Sequence, residues 1–265
     1  MLCRHSAIPA ALWQEIQARL ERIEACEGIR ILFAVESGSR AWGFPSPDSD
    51  FDVRFVYVRE RDWYLRLQPG RDVIETPIED EIDLNGWDLR KALALMLKSN
   101  AVIGEWMASP IIYRLPHPIV SRLSALADDV LDGRGLAYHY ANLGKGAAER
   151  WLEGDGPVPV KRYFYALRPV LAIRCLRFAP KERPPMHLSA LLERAALDQN
   201  LIDQIAWLVD AKSRAKEASP SMRFADLDEL IRSELNRATE IPGRPGPTQE
   251  HHDEADRLFL DIVNI

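Results

Sequence analysis

Gly38-Ser39 and, after a ten-residue spacer, Asp50-Phe51-Asp52 are the residues whose types and spacing carry chemistry most directly. If Asp50 and Asp52 open a β-strand, side-chain alternation puts them on one face. Two carboxylates held that close repel each other unless a cation lies between them, and an all-oxygen donor set points to a hard divalent ion. Gly38 lets a ligand approach the backbone, and Ser39 offers a hydroxyl and an N–H toward a phosphate. A third acid comes from Glu81-Ile82-Asp83-Leu84, an alternating run in which Asp83 points away from its apolar neighbours. If this run lies beside the strand of Asp52, then Asp50, Asp52 and Asp83 surround two Mg²⁺ ions, with Mn²⁺ able to substitute. That is a site for in-line nucleotidyl transfer. Asp83 is then the natural proton acceptor for an attacking hydroxyl.

The surrounding pattern supplies elements to position these groups. Residues 9–27 have helical spacing, with Ala11, Leu12, Ile16, Leu20 and Ile23 on one stripe. Residues 30–36 form an apolar run too short for a helix and read as a buried strand. A turn-rich loop with Gly43, Pro45 and Pro47 separates it from a second strand, 52–58. Shorter strands are expected at 72–75 and 81–84, then a helix at 88–98 capped by Asp88. Beyond residue 100 helical spacing dominates. Helices are expected at 101–108, 118–131, 135–153, 160–177, 188–196, 198–217, 224–237 and 249–263. The expected class is α+β: a mixed sheet with flanking helices over 1–112, then an all-helical domain over 113–265. The Pro/Gly segment 242–248 suggests that the last helix is a detachable appendage.

Composition narrows the function. The chain has 265 residues, 34 basic and 40 acidic, for a net charge of −6. With 47% hydrophobic and 28% charged residues it is a folded globular protein, not a disordered one. The net charge excludes a globally basic nucleic-acid binder but leaves room for a local basic groove. Cys3, Cys26 and Cys175 are few and far apart, without a C-x-x-C, so neither a zinc ribbon nor a disulfide framework is expected. No secretory signal pattern opens the sequence and no run of 18 apolar residues occurs, so a cytoplasmic protein with no membrane partner is expected.

The longer text around the acids carries a resemblance. Glu36-Ser-Gly-Ser-Arg-Ala-Trp-Gly-Phe44, Ser49-Asp-Phe-Asp-Val-Arg-Phe55, Asp83-Leu-Asn-Gly-Trp-Asp-Leu-Arg-Lys91 and Lys161-Arg-Tyr-Phe-Tyr-Ala-Leu-Arg-Pro169 resemble the DNA polymerase β-type nucleotidyltransferase superfamily. Within it they are similar to a bacterial and phage branch, some members of which accompany RNA-ligase repair systems. The resemblance covers about residues 30–178. It implies a nucleoside triphosphate substrate held by Gly38 and Ser39, and Asp50, Asp52 and Asp83 as metal ligands. It also implies a lysine of the helical domain on the triphosphate, for which Lys145 and Lys161 are candidates.

Helical geometry adds to that expectation. Lys161, Tyr165 and Arg168 share one face, opposite Phe164, Leu167 and Leu171. Tyr138, Asn142 and Lys145 share another, with Leu136, Tyr140, Leu143 and Ala147 inward. Such faces can complete a triphosphate clamp, with Tyr165 stacking on a base. Several residues have plainer readings. Arg40 reaches a phosphate or pairs with a nearby acid, and Arg54 contacts substrate or serves as a counter-ion. Trp42 and Trp87 pack, His117 and His139 are structural, and His251-His252 is solvated. The expected reaction moves a nucleoside monophosphate from a triphosphate to an acceptor hydroxyl, with an RNA end favoured. A small molecule or a protein is the alternative acceptor. A non-catalytic, antitoxin-like nucleotide or RNA binder is the alternative class, against which the complete acid set argues.

Overall fold

The structure, a computed structural model, describes residues 8–68, 70–214 and 221–264. The first part of the chain runs α1 (Ala10–Glu27), β1 (Ile29–Glu36), α2 (Gly38–Trp42), β2 (Phe51–Arg59), α3 (Arg61–Tyr64), β3 (Val73–Glu75), β4 (Ile82–Asp88), α4 (Leu89–Met96), α5 (Ala101–Met107) and β5 (Ile112–Arg114). The five strands form one mixed sheet in the order β3-β4-β2-β1-β5. β1 pairs antiparallel with β2 and with β5, and β4 lies parallel to β2, with Asp52 opposite Asp83.

Alternation assigns the two faces of the sheet. Phe51, Val53 and Phe55 of β2 and Ile82 and Leu84 of β4 pack with Ile16, Leu20 and Ile23 of α1. The alternate positions face the other way. There Val56 and Val58 are sealed under Leu89, Leu93 and Met96 of α4, while Asp52 and Arg54, earlier on the same strand, are only half-buried. This difference along one strand face creates the site.

The second part runs α6 (Ile119–Asp129), α7 (Gly133–Ala148), β6 (Val158–Pro159), α8 (Val160–Phe178), α9 (Leu188–Ala195), α10 (Gln199–Arg214), β7 (Ser221–Met222), α11 (Ala225–Arg237) and α12 (Gln249–Val263). α8 is the central helix, buried among α7, α9, α10 and α11. The molecule is α+β, with a mixed sheet, flanking helices and a largely helical second half. The final residues of the helix expected at 198–217 lie outside the described residues, as does Cys3. Cys26 is an exposed free thiol and Cys175 a buried one. No described helix is long and apolar enough to cross a membrane.

Several expectations change. The last helix is no appendage. Ala255, Leu258 and Ile262 of α12 share a core with Leu32, Val56 and Leu123, Arg122 pairs with Glu254 and Asp261, and Arg30 donates to the Ile262 carbonyl. A Pro/Gly connector marks a change of direction, whereas the apolar stripe of the helix decides where it packs. The sheet also recruits β5, which crosses the division expected after residue 112, and its core takes in α6, which lies beyond that division. β5 is three residues long and shows no periodicity to read. His251 is not a solvated residue of a tail: its Nδ1 accepts the Thr248 N–H at 2.9 Å and completes the capping box of α12.

Candidate active site

β1 ends in a carboxylate that its apolar run does not announce. Glu36 is fully buried; its Oε1 accepts the Asp52 N–H at 2.9 Å and its Oε2 accepts the Tyr113 hydroxyl. Burial pushes its pKa up to about 7 against the pull of those two hydrogen bonds. Ser37 N–H donates to the Asp52 carbonyl at 2.8 Å. The chain then turns through Gly38 at φ +60°, where a Cβ would lie 1.9 Å from Asp52 Oδ2. Only glycine lets the loop sit this close to that carboxylate. Ser39 Oγ meets Ser49 Oγ at 3.0 Å, and Ser49 Oγ accepts the Ser46 N–H, so the loop is tied across its mouth. Arg40 donates to the carbonyls of Ser49 and Asp50 and lies over the Phe51 ring at 3.9 Å.

The sheet register brings Asp52 and Asp83 side by side, and Arg54 bridges them. Its Nη2 lies 3.0 Å from Asp52 Oδ1 and 2.7 Å from Asp83 Oδ2, while Nη1 donates to the Asp83 carbonyl at 2.9 Å. Asp50 is exposed just before β2. Burial raises the Asp52 pKa most; Arg54 pulls it back, and Asp83 and Asp50 push it up again. Among the described residues, no three His, Cys, Asp or Glu side chains form a metal-holding group. The paired aspartates fit a hard divalent ion in donor type and adjacency. The positive charge held between them here is a guanidinium.

Beyond Arg54 opens a cavity of about 800 Å³ between the sheet and the helical half. Arg54, Asn85 and Trp87 line the sheet side, Glu105 and Trp106 of α5 one end, and His139, Leu143, Arg150, Arg162 and Tyr165 the far wall. Volume and lining suit a ligand with one flat apolar part and several anionic groups. Arg168 and Trp42 also line the cavity: Arg168 pairs with Glu105 at 3.0 Å and lies over Trp42, and the Tyr140 hydroxyl donates to the same Glu105 oxygen. Lys212 is buried; its ammonium donates to the Phe44 carbonyl at 2.8 Å and lies 4.7 Å from the Phe44 ring. Burial, reinforced by nearby Lys161, lowers its pKa to about 8.

The family model RlaP, described as the RNA repair pathway DNA polymerase beta family, matches residues 12–261. The chain belongs to this family. It is 37% identical over 251 residues to "Uncharacterized protein YcgL" of Bacillus subtilis (strain 168), an alignment covering 94% of this chain and 96% of that protein. A nucleotidyltransferase-like protein from Exiguobacterium sibiricum 255-15, solved by crystallography, is similar at 11% identity and a TM-score of 0.33, over 96% of this chain and 80% of that one. By its match to the RlaP model, and not by that structural likeness, the chain is of the polymerase β-type nucleotidyltransferase family.

With the RlaP family in view, the individual residues sort by place. Gly38, Asp52 and Asp83 meet at the ends of the interior strands β1, β2 and β4, with Ser39 and Arg40 in the loop beside them and Asp50 just outside. Tyr165 lies on the cavity wall, 48% exposed. Lys145 and Lys161 are exposed and do not line the cavity, whereas Arg150 and Arg162 do. Arg168, expected on one face with Lys161 and Tyr165, lines the cavity with Tyr165 but is nearly covered there, because α8 is enclosed on several sides and not on one. Leu143, expected inward, is 51% exposed on the cavity wall. Asp88 caps α4 as expected, its Oδ1 accepting the Arg90 N–H. Sequence reasoning missed Glu36 as a support of Asp52. Its signal was an acid closing an otherwise apolar strand. Lys212 left no signal, since nothing in α10 marks it as the lysine that meets Phe44.

Proposed function

We propose that the chain is a divalent-metal-dependent nucleotidyltransferase that moves a nucleoside monophosphate from a nucleoside triphosphate to a hydroxyl at an RNA end, releasing pyrophosphate. The observation that carries this reading is the pairing of Asp52 with Asp83 beside the Gly38 turn, at the rim of a cavity lined by aromatic rings and arginines. The printed description of the family, an RNA repair pathway, favours RNA as acceptor.

Asp50, Asp52 and Asp83 are the residues that would hold magnesium or manganese. Such ions, when bound, neutralise the triphosphate and acidify the attacking hydroxyl. The chain supplies the rest. Gly38 and Ser39 receive the phosphates through backbone and hydroxyl, and Arg150 and Arg162 contribute positive charge from the helical wall. Lys145 and Lys161 add longer-range attraction. Tyr165 offers a ring to the base. Asp83 accepts the proton of the incoming hydroxyl. Glu36 holds the Asp52 backbone and so keeps the acid in register.

The test is incubation with each labelled nucleoside triphosphate, total RNA and Mg²⁺, comparing the parent with Asp50→Ala/Asp52→Ala. Label incorporated into RNA by the parent alone supports the reading. Equal incorporation by both proteins, or none by either, overturns it.

A further inference from the structure

Arg54 belongs to both halves of the site. One of its terminal nitrogens bridges Asp52 and Asp83 at 3.0 and 2.7 Å, and the same side chain lines the cavity. The other terminal nitrogen rests on neutral carbonyls of Asp83 and Val53. The two carboxylates lie directly opposite each other on adjacent strands, with side chains 28% and 27% exposed. Like charges in that position destabilise a sheet, and the guanidinium offsets the repulsion. Arg54 holds one oxygen of each acid, Asp52 Oδ1 and Asp83 Oδ2, so a divalent ion between the aspartates would compete with the guanidinium for them.

We propose that Arg54 is a phosphate ligand parked on the acids. In the free protein its guanidinium stands in for the divalent ion. With a nucleoside triphosphate and its ion present, Asp52 and Asp83 would hold the ion, and Arg54 turns its fork onto a phosphate oxygen in the adjoining cavity. The proposal rests on the metal-dependent transfer proposed above and names the residue that links ion to nucleotide. Arginine suits both states, because its planar fork matches a pair of carboxylate oxygens as well as a phosphate. The exchange makes the two ligands cooperative: an ion alone must evict a cation that has no new partner, whereas an ion with a triphosphate brings that partner.

The experiment is Mn²⁺ titration of the full chain, read by the paramagnetic resonance of free Mn²⁺, with and without a non-hydrolysable nucleoside triphosphate. It compares the parent with Arg54→Gln, Arg54→Lys and Asp52→Asn. Without nucleotide, Arg54→Gln is expected to bind Mn²⁺ about tenfold more tightly than the parent, and its affinity for the Mn²⁺-nucleotide to fall about tenfold. Arg54→Lys keeps the charge but not the fork, so its Mn²⁺ affinity falls between the two. Unchanged or weaker Mn²⁺ binding by Arg54→Gln overturns the proposal and makes Arg54 a permanent counter-ion; a gain in Mn²⁺ affinity without loss of nucleotide overturns its phosphate half. If Arg54→Gln does not fold, Arg54→Lys decides, and parent-like Mn²⁺ affinity overturns the proposal. If the parent with nucleotide binds no more Mn²⁺ than Asp52→Asn does, metal-dependent transfer itself fails and takes this proposal with it.

Discussion

Glu234 and Asp52 are both acids that meet arginine, and they do so in opposite ways. Glu234, 1% exposed, is bound by Arg174 through Oε1 and by Arg177 through both oxygens, at 2.7–2.8 Å. Asp228, also in the helical half, pairs with Arg223 at 2.7 Å and accepts the Tyr163 hydroxyl. These carboxylates have fixed arginine partners of their own. Asp52 shares one arginine with Asp83, keeps its second oxygen against the bare Cα of Gly38, and lies half-buried at a cavity rim. The helical half buries charge to fix its own packing, and the strand ends of β2 and β4 hold charge in an arrangement that an incoming ligand can replace. Sites that keep such replaceable pairs give up local stability for function.

The sharpest way to break this contrast is to compare neutral substitutions on the two sides. Asp52→Asn is expected to lower nucleotidyl transfer about a thousandfold or more, with unfolding free energy changed by less than about 1 kcal/mol, since burial already disfavours its charge. Transfer rates and urea denaturation on the same preparation check both halves. Glu234→Ala should do the reverse. It leaves two arginines without their acid and lowers stability by about 3 kcal/mol, visible as a shifted urea midpoint.

The pH dependence of stability tests the support beneath Asp52. Glu36 has a folded pKa of about 7 against an ordinary value of 4.5, so the folded protein binds its proton more tightly than the unfolded chain does. The resulting stabilisation is complete below pH 4.5 and is lost as pH rises through about 7. It amounts to up to about 3 kcal/mol. Glu36→Gln should flatten that part of the profile in denaturation series across pH 4–8 (roughly the window those two pKa values set). A profile as steep as the parent's would place the titrating group elsewhere.

Smaller effects sharpen the comparison further. Gly38→Ala forces a Cβ toward Asp52 at positive φ and should destabilise by about 1–2 kcal/mol, with loss of nucleotide affinity in calorimetry. Arg162→Ala, on the cavity wall, should weaken nucleotide binding about tenfold, or about 1.4 kcal/mol. Lys145→Ala, exposed and off the wall, should change it by less than about 0.5 kcal/mol. Equal losses at the two positions would show that long-range charge, not wall contact, holds the nucleotide.

Much of the site was legible because it lies on short, strongly patterned segments. The apolar run before Glu36 and the β-branched run after Asp52 could hardly be anything but neighbouring strands, and alternation then faced Asp52 and Asp83 the same way. The helical half was legible as helices but not as faces. A single amphipathic stripe is the right model for a helix with one covered side, and α8 has several, so Arg168 reaches the cavity almost wholly covered and Arg162, one residue from Lys161, reaches it exposed. β5 was missed because three residues between Pro110 and Pro116 carry too little pattern to separate a strand from a loop.

Local chemistry, then, was written in the order of the residues: a glycine turn, acids at strand spacing, helices with their caps. These depend on neighbours within a few positions, where backbone sterics and alternation act. Partnership was not so written. That Arg54 would lie between Asp52 and Asp83, that Glu36 would brace one of them, that Lys212 would reach Phe44 and that α12 would close over the sheet all depend on contacts across tens to hundreds of residues. Such contacts are chosen by burial and charge once the whole chain has packed, and no local pattern encodes which of many suitable partners arrives.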